Sequence, residues 1–304
     1  MPEWLIEDGI GETRAALVEP DGTILEARVR REGVTPAGTI LEAKLIAVAP
    51  RVTVEAGGEQ FLLPRGASGI TEGGRLFVEV TREALGGAEP WKRGLARRTD
   101  EAPRPAPPLA EGRHAKIEGW DDLLEEARSG RVSFDGGELR IEPTAAMTMI
   151  DIDGWLQADK LSQMGAWASA LAVRRLDIGG PVGIDFPAPE GKDAKKEVGG
   201  ILDHYLDKPF ERTAMNGFGF VQLVRPRSRA SLVELAADRA AFEARALMRR
   251  ASRETGAIAL HAHPAVLNVI PAGWTERLAR QVGGAVTLRP EPGLAMSGAH
   301  AQKV

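Results

Sequence analysis

Over the first hundred residues apolar and polar positions alternate in short runs, broken every eight to twelve residues by Gly, Pro or Asp. TRAALVE and GTILEARV read as two strands split by Pro20, Asp21 and Gly22, residues that set turn geometry. TILEAKLIAVAP, RVTVEAGGEQFLLP and GGRLFVEVTRE continue the pattern, and strands this short with glycine-rich breaks predict a small barrel or sandwich. The alternation stops at DEAPRPAPPLAEG, residues 100–112, where four prolines in thirteen residues predict a stiff, unpaired linker.

Beyond the linker the period changes. WDDLLEEAR predicts a short helix, with Asp121 and Asp122 in its first turn and Arg128 near its end, matched to the helix dipole. GGELRIEP and AAMTMIDID predict a β-hairpin. A helix over about 159–176, carrying Leu161, Met164, Ala168, Leu171 and Val173, leads to the strand PVGIDFP. Strand, helix and strand in this span make a βαβ unit. From Ser231, SLVELAADRAAFEARALMRRASRETG has apolar positions at three and four and predicts one long helix capped by Gly256. A strand, AIALHAH, a helix, WTERLARQVG, and a strand, AVTLRP, follow, and the last residues are expected to fray.

Composition narrows the class. Hydrophobic residues make up 43% and charged residues 27% of 304, ordinary for a globular protein with two or three compact units. No apolar run reaches the roughly 18 residues of a membrane span. The N-terminus, MPEWLIEDGIGETR, is acidic where a signal peptide would be basic, so a cytoplasmic protein is expected. With no cysteine there is neither a disulfide nor a thiolate metal site. The formal net charge of −4 gives no global attraction to nucleic acid, so any RNA would need a local basic patch.

MIDIDGWL ends one strand of the βαβ unit with Asp151 and Asp153, and GIDFP ends the other with Asp185. Parallel neighbours bring their carboxyl ends to one edge, about 4.8 Å apart, where open α/β sheets bind ligands. Asp151 and Asp153 share a face by strand alternation. Three carboxylates converging there would repel without a cation, and hard oxygen ligands suit Mg²⁺, which would activate water toward a phosphodiester. The bland alternative is a set of solvated turn aspartates.

GGELRIEPTAAMTMIDIDG, RRLDIGGPVGIDF and NGFGFVQLVRPRSRASL resemble the catalytic core of the ribonuclease E/G family. ETRAALVE, GTILEAKLIAVAPRVTVEAG and FLLP resemble that family's opening strand and inserted S1 domain, and ALMRRASRETGAIALHAHP its small C-terminal domain. The resemblance covers most of the chain in the same order. It implies an α/β protein with an RNase H-like core (1–34 and 113–230), an inserted S1/OB-type β-barrel (35–98), the Pro-rich linker (99–112) and a small C-terminal α/β domain (231–304). It implies a Mg²⁺-dependent endoribonuclease that cuts single-stranded RNA to 5′-phosphate and 3′-hydroxyl ends. Asp151 and Asp185 stand at the metal-binding positions, Asp153 where the family usually has an asparagine, and Arg212 near a basic residue for the 5′-monophosphate. Phe61 matches an RNA-stacking aromatic and Lys92 lies near a basic RNA contact.

The chain also departs from that pattern. Ala145 replaces a glutamate and, six residues before Asp151, is expected on the same strand face. Asp153 adds charge where phosphate should lie. Only the linker and one short helix fill the place of the 5′-sensor segment, which leaves Arg212 without a partner. Thr53 replaces a second stacking aromatic, and without cysteines no zinc-linked tetramer is expected, with monomer or dimer left open. Arg225, Arg227 and Arg229 form a basic run that Pro226 holds in a loop, a candidate RNA-backbone clamp. Trp91, Lys92, Arg93, Arg97 and Arg98 form a second. His261 and His263 alternate on one strand without a third metal ligand nearby in sequence, and the glycine pairs in GGAEP and GGPVG lack phosphate-loop spacing. A non-catalytic RNA-binding protein on the same scaffold is the alternative, and an unrelated metal-dependent phosphoesterase a third.

Overall fold

The computed structural model describes residues 1–86 and 91–304, so part of GGAEP lies outside the described residues. The chain opens with an antiparallel meander, β1 (Glu3–Asp8), β2 (Glu12–Val18) and β3 (Ile24–Arg31). Five strands then close a barrel: β4 (Ile40–Ala47), β5 (Thr53–Ala56), β6 (Glu59–Leu62), β7 (Arg75–Arg82) and β8 (Gly94–Thr99). Its order is β4-β5-β6-β8-β7, with β6 and β8 parallel and β7 closing onto β4. Of the barrel or sandwich expected from the alternation, the barrel is present, and its five closed strands are OB-like, as the resemblance implied.

The proline-rich segment behaves differently from the expectation. Arg104 pairs with Ile40 through two backbone hydrogen bonds, 2.9 and 3.1 Å long. Arg30 donates to the Pro107 carbonyl at 2.6 Å and Arg28 to that of Leu109 at 3.1 Å. Leu109 and Ala110 are buried with Ile6 and Ala15. Proline removes donors but leaves every carbonyl free, and arginines on β3 take those carbonyls. The segment is a strap on the first sheet rather than an unpaired linker, and it delivers β9 (Arg113–His114) parallel to β1.

Next come α1 (Trp120–Ser129), β10 (Arg131–Phe134), β11 (Gly137–Pro143), β12 (Thr148–Gly154), α2 (Ala158–Arg175), β13 (Gly180–Asp185), α3 (Gly191–Tyr205), β14 (Glu211–Arg212) and β15 (Phe220–Arg225). The strands form one sheet in the order β10-β11-β12-β13-β15-β14. The expected hairpin β11–β12 and the βαβ unit β12–α2–β13 are both there, with β12 and β13 parallel neighbours. One face of β12 carries Ile150 and Ile152 inward. A Cβ on Gly165 would come within 2.7 Å of Ile152, so α2 lies directly on that face. Leu5, Ala16 and Ala27 of the first sheet join the same apolar core, which places α2 between the two sheets.

The long helix expected after Ser231 is two, α4 (Leu232–Ala237) and α5 (Arg239–Ala251). Ser231 and Glu234 form a capping box on α4. Asp238, outside helical geometry, accepts from the Ala241 amide and caps α5. Helix α5 ends at Ser252, so Gly256 does not cap it. Then follow β16 (Ile258–Ala262), α6 (Pro264–Asn268), α7 (Ala272–Val282), β17 (Val286–Pro290) and β18 (His300–Lys303). The terminal residues expected to fray pair antiparallel with β16. Helix α4 packs into the large core, whereas α5 is shared with the C-terminal cluster of Leu247, Leu260 and Leu278. Among the described residues no helix is long and apolar enough to cross a membrane.

Candidate functional site

Helix α2 packs on one face of the six-stranded sheet, and on the other β11 and β12 carry exposed side chains. On β12 the outward residues are Met149, Asp151 and Asp153, and on β13 they include Asp185. The parallel register sets Asp151 directly beside Asp185, about 4.8 Å away strand to strand. Antiparallel β11 puts Arg140 opposite Asp151 and Glu138 opposite Asp153 on the other side. Arg140 lies 3.6 Å from Glu138 and 4.0 Å from Asp153. Asp185 has Phe220 of β15 as its other neighbour.

Glycines shape the floor of this edge. A Cβ on Gly183 would stand 2.5 Å from the Phe220 ring and about 3 Å from the sulfurs of Met147 and Met149. The missing side chain lets these apolar groups lie across the strand one step before Asp185. Gly219, at φ +87°, would put a Cβ 2.5 Å from the Phe186 carbonyl, and its own carbonyl accepts from the Phe186 amide. Helix α2 holds the rest: Ser162 donates to the Pro187 carbonyl at 2.6 Å, and Asp159 accepts from the Glu190 amide at 2.9 Å.

Partial burial, then the charges of Asp153 and Asp185, push the Asp151 carboxyl above its ordinary range, against an opposing pull from Arg140. A cation between Asp151 and Asp185 would relieve that excess, and two carboxylates with an open face suit Mg²⁺, which keeps several waters. The expected convergence of three carboxylates is not met: among the described residues no group of three or more His, Asp or Glu side chains is placed to hold one ion. Asp153 points outward beside Asp151 and faces Arg140.

Other candidates change meaning. Phe61 is 0% exposed in the barrel core, in contact distance of Gly94, and has no ring face left for a base. Among the described residues the exposed Phe and Trp side chains are Phe77 at 36%, Trp91 at 70%, Trp155 at 80% and Phe218 at 88%. Ala145 is not on the strand, because Thr144 closes a tight turn over it: its hydroxyl donates to the Met147 carbonyl at 2.6 Å and accepts from the amides of Ala146 and Met147. That turn lies at the opposite end of β12 from Gly154, so Ala145 leaves no gap beside the aspartates.

Arg212 has a partner. Its guanidinium meets Asp203 in a two-pronged pair at 2.7 and 2.6 Å, and that pair holds the Asp203 carboxyl below its usual range. Arg225 is part of β15 and donates to the Ile178 carbonyl at 2.9 Å, Arg227 pairs with Glu234, and Arg229 meets Asp177 at 2.9 Å. These three arginines tie β15 and the following turn to the core. In the second run, Arg97 pairs with Glu79 at 2.6 Å and Arg98 donates to Ser68, while Lys92 is half-buried and takes the Leu85 amide on its carbonyl. His261 pairs with Glu291 and stacks on His300, and His263 caps α6. Arg140, Gly183 and the aromatics Trp155 and Phe218 escaped sequence reasoning. Only Arg140 had a readable signal, its place across the hairpin.

Comparison with known proteins identifies no family: no family model matches the chain, and no curated protein matches it.

Proposed function

We propose that the chain is an endoribonuclease of the ribonuclease E/G kind that hydrolyses single-stranded RNA with Mg²⁺, leaving 5′-phosphate and 3′-hydroxyl ends, and that its two sheets with α2 between them form an RNase H-like core. The observation that carries this reading is the in-register pair Asp151 and Asp185 on adjacent parallel strands, both exposed at the sheet edge. Asp151 and Asp185 would hold the ion. When bound, Mg²⁺ supplies positive charge to the phosphate oxygens and acidifies water near them. Asp153 accepts a hydrogen bond from the attacking water and orients it. Arg140, between Glu138 and Asp153, keeps the acidic edge from repelling the RNA backbone. The floor of Met147, Met149 and Phe220 lowers the local dielectric, which strengthens each of these charge contacts.

The test is cleavage of an end-labelled single-stranded RNA in Mg²⁺ by the protein and by Asp185→Asn. The wild type should cleave, and the variant should lose about 10²-fold or more in rate, the scale of removing one charge-stabilising group. Equal rates would remove Asp185 from the chemistry. A second reading, RNA binding without cleavage, draws on the lack of a third ligand among the described residues. It predicts that both proteins bind the RNA and neither cuts it.

A further inference from the structure

We propose a nucleotide subsite on the α3 side of the carboxylate edge, with an internal phosphate of the RNA strand in a lysine-lined cavity and its base stacked on Phe218. The proposal rests on the reading of the chain as an RNA-binding nuclease. Lys192, Lys195 and Lys196 sit on the first two turns of α3 and, three and four apart, project from one side of the helix. The acids of that stretch, Asp193 and Glu197, fall on the adjoining side. With Gly199, Arg212 and Met215 the lysines line a cavity of about 320 Å³. Arg212 forms its floor: a Cβ on Gly199 would stand 2.7 Å from the guanidinium. The charge of Arg212 is offset by Asp203, so the free charge in the cavity belongs to the lysines. Lys195 reaches the Asn216 carbonyl at 3.2 Å, and among the described residues neither Lys192 nor Lys196 has a carboxylate in ion-pair distance.

The lysines are coupled to the aspartates through one turn. Asn216, which receives Lys195, folds its side chain onto the amides of Phe218 and Phe220 at 2.8 and 3.1 Å. Phe220 is the register neighbour of Asp185. Along the sheet edge the order is therefore Asp151, Asp185, Phe220, the Phe218 turn and the lysine cavity. A ring left 88% exposed at that turn has no packing role in the fold. A free inorganic anion would use the lysines and leave the ring idle, and an acidic peptide supplies no planar face beside each charge. A single RNA strand presents a phosphate and a base in every repeat, which is the pattern of cation and aromatic here.

The experiment is anisotropy of a fluorescein-labelled RNA 12-mer, in 5′-hydroxyl and 5′-phosphate forms, with Ca²⁺ in place of Mg²⁺. It uses the full chain, Phe218→Ala, Phe218→Leu and the double variant Lys192→Gln/Lys196→Gln, with thermal melts as a folding check. Both Phe218 variants should bind about 5- to 150-fold more weakly, the range for losing one stacked base. The lysine variant should lower the slope of log Kd against log salt by about 1.4, two contacts at about 0.7 each. Both losses should be equal for the two 5′ ends. Wild-type affinity and salt slope in all variants would overturn the subsite while leaving cleavage by the wild type intact. A loss confined to the 5′-phosphate RNA would overturn it in favour of a terminal-phosphate pocket. A wild type that neither binds nor cuts the RNA would remove the nuclease reading and the subsite together.

Discussion

Asp151 sits where two other carboxylates act on it, and its titration is the most direct residue-level readout of the site. Burial raises its pKa first, then Asp153, then Asp185. A carboxyl carbon NMR titration should find it above the ordinary aspartate range of about 3.9. Asp153→Asn and Asp185→Asn should each lower it, the first by more, and added Mg²⁺ should lower it too, since proton and cation compete for one oxygen. An unshifted Asp151 in both variants would mean that the three charges do not share a site. The Asp151–Asp185 pair was legible in the sequence because a βαβ unit forces parallel neighbours, and both residues end their strands. Phe61 was not, because in EQFLLP the alternation shows that every second side chain points inward but not which phase does so. Ala145 misled for a related reason: counting in twos assumes an unbroken strand, and the Thr144 hydroxyl turns the chain before the strand begins.

Among elements, those with strong periodicity read well and those defined by a single capping or pairing residue did not. Helix α3 went unread because its inward positions are only Val198, Gly199 and Leu202, within a lysine-rich run holding two adjacent glycines. The break between α4 and α5 depends on the Asp238 side chain binding a backbone amide, which leaves the apolar period unchanged. Strand β18 exists through its partner β16 rather than through its own sequence, HAQK. A further element-scale contact lies where the barrel leaves its last long strand. Glu83 is buried against Arg31 at 2.9 Å, and its amide donates to the Ser228 carbonyl. Burial already pushes its carboxyl up despite Arg31. Arg31→Leu should therefore cost about 3–5 kcal/mol in urea unfolding, the scale of stranding a buried charge. Because protonation of Glu83 is then favoured further in the folded state, the deficit should shrink as pH falls through its raised pKa. Glu83→Leu added to that variant should restore most of the loss; no restoration would show that the pairing is not the source.

At the scale of the whole molecule, three apolar clusters mark the large two-sheet core, the barrel and the C-terminal unit, and the strap over the first sheet forms a small fourth. The proline-rich composition of that strap predicted stiffness correctly and attachment wrongly, since the partners that attach it, Arg28 and Arg30, lie some eighty residues away in sequence.

The Ile40–Arg104 bridge carries one more consequence. The chain enters and leaves the barrel side by side, at the spacing of a paired β residue, about 5.5 Å between Cα atoms. That is a gap a two-residue turn spans. The barrel can thus be excised and the cut healed by Asn-Gly between Gly38 and Pro105, with Arg31, which loses Glu83 with the barrel, replaced by Leu, and with Arg28 and Arg30 still clasping what remains. Such a shortened chain should give a cooperative melt and, if the sheet edge alone does the chemistry, cut RNA with unchanged turnover but weaker binding. In evolutionary terms the barrel is a cassette: its two hinge points would let a lineage acquire, lose or exchange the whole module without redrawing the six-stranded sheet.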